Sequence, residues 1–399
     1  EKITQIRQVM PVTRQKVYLN TGVCGPLSTV LDEVLRQSQA AELAEGRASV
    51  AGFQMLRQAR DDLRAALARL VKADPSQIAL THHTTEGMNI ISHGLNWQPG
   101  DEIVTTDLEH PGGLLPLYVL RQRRGVAVHV VPLTADDSPE AIVARLETAI
   151  TPRTRLLAWS HVAWNLGARL PLAEIVAMAH RRHVLTLVDG AQSMGAIPLD
   201  LPASGVDFYA FPGQKWLCGP EGLGGLYVRS ERLSLVWPTF AGYATIAGPG
   251  KYDAAGSFMP AAGAARFEVG TVNRPMLQAM VANLAWLGET IGWDWIHARI
   301  AHLSGYAHAA LSALAGVRVI TPAAARAGLI TFSLEGYDPA RVMIRLAEEG
   351  LILRYIDHPY ALRISTGFYN TEADIDRLVA ALQAIQDSDP ESLPVFVGF

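Results

Sequence analysis

Residues 184–192, Val184-Leu185-Thr186-Leu187-Val188-Asp189-Gly190-Ala191-Gln192, carry the signal from which the fold is read. A short apolar run rich in β-branched residues, too brief for a helix, predicts a buried strand at Val184–Val188, closed by an acidic residue and a glycine. Working outward, comparable runs stand at Gln77–Leu80, Glu102–Thr106, Val126–Pro132, Thr154–Ser160, Val206–Phe211 and Gly225–Val228. Between them, helical periodicity and start signals mark segments near 28–45, 53–72, 112–124, 138–150 and 171–182. Strands alternating with helices predict an α/β protein whose large domain has a mostly parallel sheet flanked by helices. From Pro275 onward the pattern changes to helices near 276–292, 294–315, 338–349 and 371–387 around short strands at Val317–Ile320, Leu329–Ser333 and Ala361–Ser365. That reads as a smaller α+β domain. The expected division is 21–275 for the large domain, and 1–20 with 276–399 for the small one.

Apolar residues make up 49% and charged residues 18% of the 399-residue chain, the balance of a well-buried enzyme, and a net charge of -4 offers no basic excess to nucleic acid or an anionic membrane. Small molecules are the expected partners. Cys24 and Cys218 are the only cysteines and lie far apart, so neither a disulfide framework nor a metal site is expected, and a reducing cytoplasm fits. The opening Glu1-Lys2 begins a polar stretch without the apolar core of a signal peptide, which supports the same compartment. The uncharged stretch from Leu233 to Gly250 approaches the length of a membrane span, but Pro238, Gly242, Gly248, Pro249 and Gly250 interrupt it, and an irregular loop is expected.

In open α/β sheets ligands sit at the carboxyl ends of the strands, and the chemically informative residues cluster there: His82 to Glu86, Glu109-His110, Ser160-His161 and Asp189 to Gln192. Lysine occurs only at 2, 16, 72, 215 and 251, and Lys215 is the one charge between Phe208 and Pro220. An arbitrary strand-end lysine snorkels to water. One held among apolar groups instead has a lowered pKa and can form an imine with an aldehyde, the chemistry that pyridoxal 5'-phosphate (PLP) requires. Asp189, expected on a neighbouring strand, could keep the pyridine nitrogen protonated and make the ring an electron sink. Gly190 would let a ligand approach the backbone, and Gln192 would donate to the ring's phenolic oxygen. His110 is either a turn residue or an aromatic slab over the ring that can also shuttle protons. Thr84 and Thr85 stand before a helix, where hydroxyls and free backbone N–H groups bind a phosphate; a plain helix cap is the alternative.

Asp189-Gly190-Ala191-Gln192, then Gly213-Gln214-Lys215-Trp216, then Gly219-Pro220-Glu221-Gly222-Leu223-Gly224-Gly225-Leu226-Tyr227 closely resemble the fold-type I PLP enzymes of the class V aminotransferase and cysteine desulfurase group. Tyr18-Leu19-Asn20-Thr21-Gly22, Thr84-Thr85-Glu86-Gly87, Glu109-His110, Ser160-His161-Val162, Arg266-Phe267-Glu268-Val269-Gly270-Thr271 and Phe368-Tyr369-Asn370-Thr371 extend the likeness over most of the chain. Each motif is weak alone; their order and spacing are specific. The resemblance implies a Schiff base on Lys215, Asp189 against the pyridine nitrogen, His110 stacked on the ring, and Thr85 with Thr84 on the phosphate. It also implies a homodimer with a shared active site, in which Thr271 reaches the phosphate of the other subunit. Arg363 would grip the substrate carboxylate, a task suited to a bidentate guanidinium. Asn165, one place from the family's asparagine, is carried over as cofactor-binding. Relatives usually carry Ser or Thr three residues before the lysine and His just before it; here stand Pro212 and Gln214. Gln214 can still donate a hydrogen bond but brings no positive charge.

The group contains transaminases, desulfurases, lyases and epimerases, so membership does not name the reaction. Desulfurases need a cysteine nucleophile on a loop of the C-terminal domain. No cysteine follows Cys218, and Leu353-Arg354-Tyr355-Ile356-Asp357-His358-Pro359, where that loop should fall, offers none. Cys24 is read as a small buried thiol. The chain is most similar to the cystine/cysteine C–S lyases of the group, through Trp164-Asn165, the stretch Gly94-Leu95-Asn96-Trp97-Gln98-Pro99-Gly100-Asp101-Glu102-Ile103, and the pair Arg354 and Arg363. Two arginines suit a dicarboxylate such as cystine, or one carboxylate with a supporting charge. The implied reaction is β-elimination, with Lys215 removing the α-proton and pyruvate, ammonia and a sulfur product released. Rival readings are a class V aminotransferase closed by a keto acid, and an isopenicillin N epimerase-like enzyme with His110 or Tyr355 as second base. A non-catalytic PLP-binding regulator would need an extra module that no segment supplies. An NAD or ATP enzyme lacks its Gly-x-Gly-x-x-Gly after the first strand, and Gly250-Lys251 is followed by Tyr252 rather than Ser or Thr.

Overall fold

A computed structural model describes residues 1–248 and 250–395. Strand β1 (Val17–Tyr18) comes first in the chain. It is followed by β2 (Ile78–Thr81), β3 (Glu102–Thr106), β4 (Ala127–Val131), β5 (Thr154–Ser160), β6 (Leu185–Asp189), β7 (Phe208–Pro212) and β8 (Gly224–Val228). The last seven form one sheet in the order β2-β8-β7-β6-β5-β3-β4, in which only β8 runs against its neighbours.

Because side chains alternate across a strand, successive residues enter opposite layers. Ile103, Leu156, Leu187 and Phe208 pack with Met88 and Ile91 of the Thr84–Gly94 helix and Leu117 and Leu120 of the Pro111–Arg124 helix. Their neighbours Val104, Leu157, Val188 and Tyr209 pack with Leu63 and Leu67 of the Val50–Leu70 helix, Leu146 of the Pro139–Ala149 helix, and Ile175 and Met178 of the Leu172–Arg181 helix. Two covered faces explain why the strands read as continuous apolar runs. Ser28 and Ser49 accept from backbone N–H groups at the starts of the Thr29–Glu45 and Val50–Leu70 helices. The second helix therefore begins a few residues earlier than its apolar periodicity indicates.

The remaining strands are β9 (Val317–Val319), β10 (Leu329–Leu334), β11 (Leu351–Ile352), β12 (Arg354–Asp357) and β13 (Tyr360–Ser365). Four of them make an antiparallel sheet, β12-β13-β10-β9, while β11 pairs in parallel with β1. The segment Leu353–Pro359, placed in a loop from sequence, is instead mostly the strand β12. Within β12 only Ile356 is buried, so its own residues give little signal, and pairing to the apolar β13 supplies the order. Val17 and Leu19 share a core with Phe332, Leu346, Ile364 and Leu378. Ile6 and Met10 belong to the core beneath the central sheet, as do Leu277, Met280 and Leu284 of the Arg274–Ala285 helix. Apolar packing thus crosses the 275/276 boundary, and the two-domain division stands as a proposal. Beyond the Ser230–Leu235 turn, the Leu233–Gly250 segment has no helix or strand among its described residues; Pro249 lies outside them. Among the described residues no helix is long and apolar enough to cross a membrane.

Candidate active site

A cavity of about 230 Å³ opens at the carboxyl ends of the parallel strands. The segment after β2 brings His83, Thr84 and Thr85 to it, and the residues after β3 bring His110. β5 contributes Ser160 and, beyond it, Trp164; β6 brings Asp189 and Gln192, and β7 leads to Gln214 and Lys215. The antiparallel sheet closes it with Arg354 and Arg363. Strand register sets the spacing, since Ser160 lies opposite Asp189, Asp189 opposite Ala210, and Arg354 opposite Arg363.

Burial lowers the Lys215 pKa to about 8; Asp189 opposes the shift, and Arg363 and Arg354 add to it. Its amine is therefore neutral in far larger fraction near pH 8 than a solvated lysine's. Burial raises the Asp189 carboxyl, while Lys215 and the Ala191 N–H, at 2.8 Å from Oδ1, favour its charged form. Glu109 is a second buried carboxyl nearby. It accepts from Thr106 Oγ1 at 2.6 Å and Ser160 Oγ at 2.7 Å, yet burial, reinforced by Asp189, pushes it up to about 7. His110 Nδ1 accepts from the Gly112 N–H at 3.0 Å, which leaves the proton of the neutral ring on Nε2. Desolvation and the charges of Lys215, Arg363 and Arg354 push that imidazole down to about 4. Its ring meets Trp164 edge-on at 5.2 Å.

Arg363 is almost wholly buried, and burial with the neighbouring Arg354 pushes it down to about 9. Nη1 donates to Trp164 O at 2.7 Å, whereas Nε and Nη2 are buried without partners. Unpaired buried donors on a cation are costly, so this geometry calls for an anion. Thr84 Oγ1 and Gln214 Oε1 are likewise buried without partners, beside the free N–H groups that open the Thr84–Gly94 helix. The residues present fit PLP: an amine for its aldehyde, a carboxyl for its ring nitrogen, and hydroxyls at a helix start for its phosphate.

Several placements differ from the expectation. Gly190 does not clear a path for a ligand; a Cβ there would lie 2.1 Å from the Tyr209 ring, so its absence serves strand packing. Tyr209 OH in turn bonds His161 Nδ1 at 2.9 Å and Ser193 Oγ. Gln192 is not free to turn, because Nε2 donates to Gly22 O at 2.8 Å and Oε1 accepts from Trp216 at 2.9 Å. At most one of its N–H bonds is left for a phenolic oxygen. Asn165 is buried and its Oδ1 unpartnered, but Trp164 is the residue that lines the cavity. Thr271 lies elsewhere in its own chain, bonded to Tyr243 OH at 2.9 Å. Cys24 is partly exposed, its thiol 3.5 Å from Glu221 Oε1. Sequence reasoning assigned no role to His83 or to the side chains of Glu109 and Trp164; for His83 the available signal was its place between a strand end and Thr84.

The Aminotransferase class-V family model matches residues 24–378. A probable cysteine desulfurase of Pseudomonas aeruginosa is 35% identical over 328 residues, 77% of this chain and 78% of that protein. The cysteine desulfurase of Cronobacter sakazakii is 31% identical over 408 residues, 95% of this chain and 97% of the other. A probable cysteine desulfurase of Mycolicibacterium paratuberculosis is 33% identical over 344 residues; that match covers 82% of this chain but only 49% of the relative, so the chain spans about half of that longer protein. Among solved structures, the cystine C–S lyase C-DES in complex with its reaction product cysteine persulfide superposes with a TM-score of 0.88 at 34% identity, covering 94% of this chain and 98% of that one. A C-DES mutant with glycine covalently linked to the PLP cofactor gives 0.89 at the same identity and coverage. The Escherichia coli cysteine desulfurase CsdA gives 0.85 at 29% identity, with 96% and 98% covered. The chain belongs to the class V aminotransferase family, as a fold-type I, PLP-dependent enzyme of its cysteine desulfurase and C–S lyase group.

Proposed function

We propose that the chain is a C–S lyase that acts by β-elimination on cystine- or cysteine-type amino acids and releases pyruvate, ammonia and a sulfur product. The observation that carries this reading is the pair Arg354 and Arg363, directly opposed across β12 and β13 at the cavity, on a segment without a cysteine to receive sulfur. Bound PLP supplies an aldehyde that captures the substrate amine and a ring that draws off the electron pair left at the α-carbon. Lys215 Nζ takes the α-proton, a role that its lowered pKa favours. Asp189 holds its charge against the ring nitrogen, and His110 covers the ring face. Arg363 binds the α-carboxylate through Nε and Nη2, leaving Arg354 for the second carboxylate of a cystine-like substrate. Thr84, Thr85 and Gln214 hold the phosphate, Gln192 and Asn165 complete the cofactor's surroundings, and Thr271 serves the other subunit of a homodimer. Two unpaired thiols suit a cytoplasmic location.

Pyruvate release by the purified enzyme from cystine, S-substituted cysteines and alanine, with and without an added keto acid, tests this function. The sulfur substrates should yield pyruvate without a keto acid, and the Lys215→Ala enzyme should yield none. Turnover only in the presence of a keto acid would establish an aminotransferase instead.

A further inference from the structure

His83 stands between β2 and the Thr84–Gly94 helix and lines the same cavity as Thr84, Thr85, Pro212 and Gln214. Within that group it alone has an ionisable side chain. Its backbone is extended, with φ -169° and ψ 168°, and its Nδ1 caps the helix by accepting from the Glu86 N–H at 3.1 Å. An imidazole that accepts at Nδ1 carries its remaining proton on Nε2, so the cap itself converts the far side of the ring into a donor. Among the described residues no acceptor holds Nε2. The Glu86 carboxylate, the nearest anion in sequence, is engaged by the backbone N–H and the ring of His82, the latter at 2.8 Å. Gly224 lets the two segments close together, since a Cβ there would lie 2.6 Å from Phe211 O and 3.3 Å from the Cα of His83. A second observation points to a ligand at this helix start: Thr84 is 7% exposed, lines the cavity, and its hydroxyl is buried without a partner.

A phosphate dianion has more acceptor positions than two hydroxyls and a glutamine amide can fill, and each donor to a charged acceptor counts roughly twice a neutral one. We propose that His83 is a phosphate-binding residue for PLP, its Nε2–H donating to a phosphate oxygen beside Thr84 and Thr85. This goes beyond the C–S lyase reading, because it concerns retention of the cofactor whichever reaction follows.

The test is equilibrium binding to the apoenzyme, followed by absorbance, of PLP and of pyridoxal, which has the same ring and aldehyde but no phosphate. His83→Ser keeps a side-chain oxygen to cap the helix while removing the ring, so the two roles of His83 are separated. The substitution should weaken PLP roughly tenfold to a hundredfold, leave pyridoxal binding unchanged, and leave the thermal midpoint of the apoenzyme in place. A loss for PLP at least about fivefold greater than that for pyridoxal upholds the assignment. Any smaller difference between the two ligands overturns it and leaves His83 as a cap alone. Neither result depends on pyruvate release, so failure of this assignment and failure of the lyase reading are distinguishable.

Discussion

Glu109 and Asp189 are two carboxyls buried at one site, and Lys215 partly neutralises only the second. Glu109 accepts from two hydroxyls and makes no ion pair among the described residues, and burial raises it from 4.5 to about 7. A folded-state pKa raised above the unfolded value contributes stability that is full below the unfolded pKa and is lost as pH rises through the folded one. Between about pH 4.5 and 7 the charged form of Glu109 therefore progressively costs the apoenzyme stability, up to about 3 kcal/mol. Glu109→Gln keeps the shape and stays neutral. Its unfolding free energy should match or fall slightly below the parent's at pH 4.5 and exceed it at pH 8. Denaturant titrations at the two pH values check this, and a mutational effect independent of pH would show that Glu109 is paired with a cation in solution.

At the scale of elements, β12 and β13 decide what the cavity can hold. The antiparallel register places Arg354 opposite Arg363, and opposed residues on one face come within reach of a single ligand. Two guanidiniums so close repel each other; burial is the main reason that the pKa of Arg363 is lowered and Arg354 adds to it, and an anionic substrate relieves both. Arg363→Ala should leave the cofactor's absorbance intact while raising KM for every amino-acid substrate roughly tenfold to a hundredfold. Arg354→Ala should raise KM for cystine by a similar factor and barely alter that for S-methylcysteine. Equal effects of Arg354→Ala on both substrates would mean that both arginines share one carboxylate.

For the whole molecule, the exposed apolar surface matters most. Leu43, Val50 and Phe53 near the junction of two long helices are 90%, 76% and 59% exposed, and Trp237, Phe240 and Tyr243 in the loop before Thr271 are 64%, 68% and 62% exposed. Clusters of that kind mark association surfaces, and a homodimer would cover them. If Thr271 serves the partner's phosphate, a hybrid dimer of one Lys215→Ala chain and one Thr271→Ala chain contains one intact site and one doubly damaged site. Such hybrids should bind PLP at the intact site with parental affinity. Uniformly weakened binding would place Thr271 in its own subunit's site.

Much of the fold was legible along the chain because central strands such as β5 and β6 are buried on both faces, and that burial is written in runs of local residues. The chemical candidates Lys215 and Asp189 stood out for a related reason: an ionisable side chain inside or at the end of an apolar run is conspicuous from the order of residues alone, whereas Arg363 came from the family resemblance of its segment. β12 was missed because its own residues carry little apolar signal and the hairpin pairing to β13, a few residues further on, orders it. Tyr209 filling the space above Gly190, Gln192 held between Gly22 and Trp216, and a carboxyl at Glu109 without an ion pair among the described residues were equally out of reach. The sequence by itself determined which residue types stand at which strand ends. Only the tertiary structure decided which of them share a cavity and in what ionisation state, because register and desolvation depend on neighbours tens to hundreds of residues away.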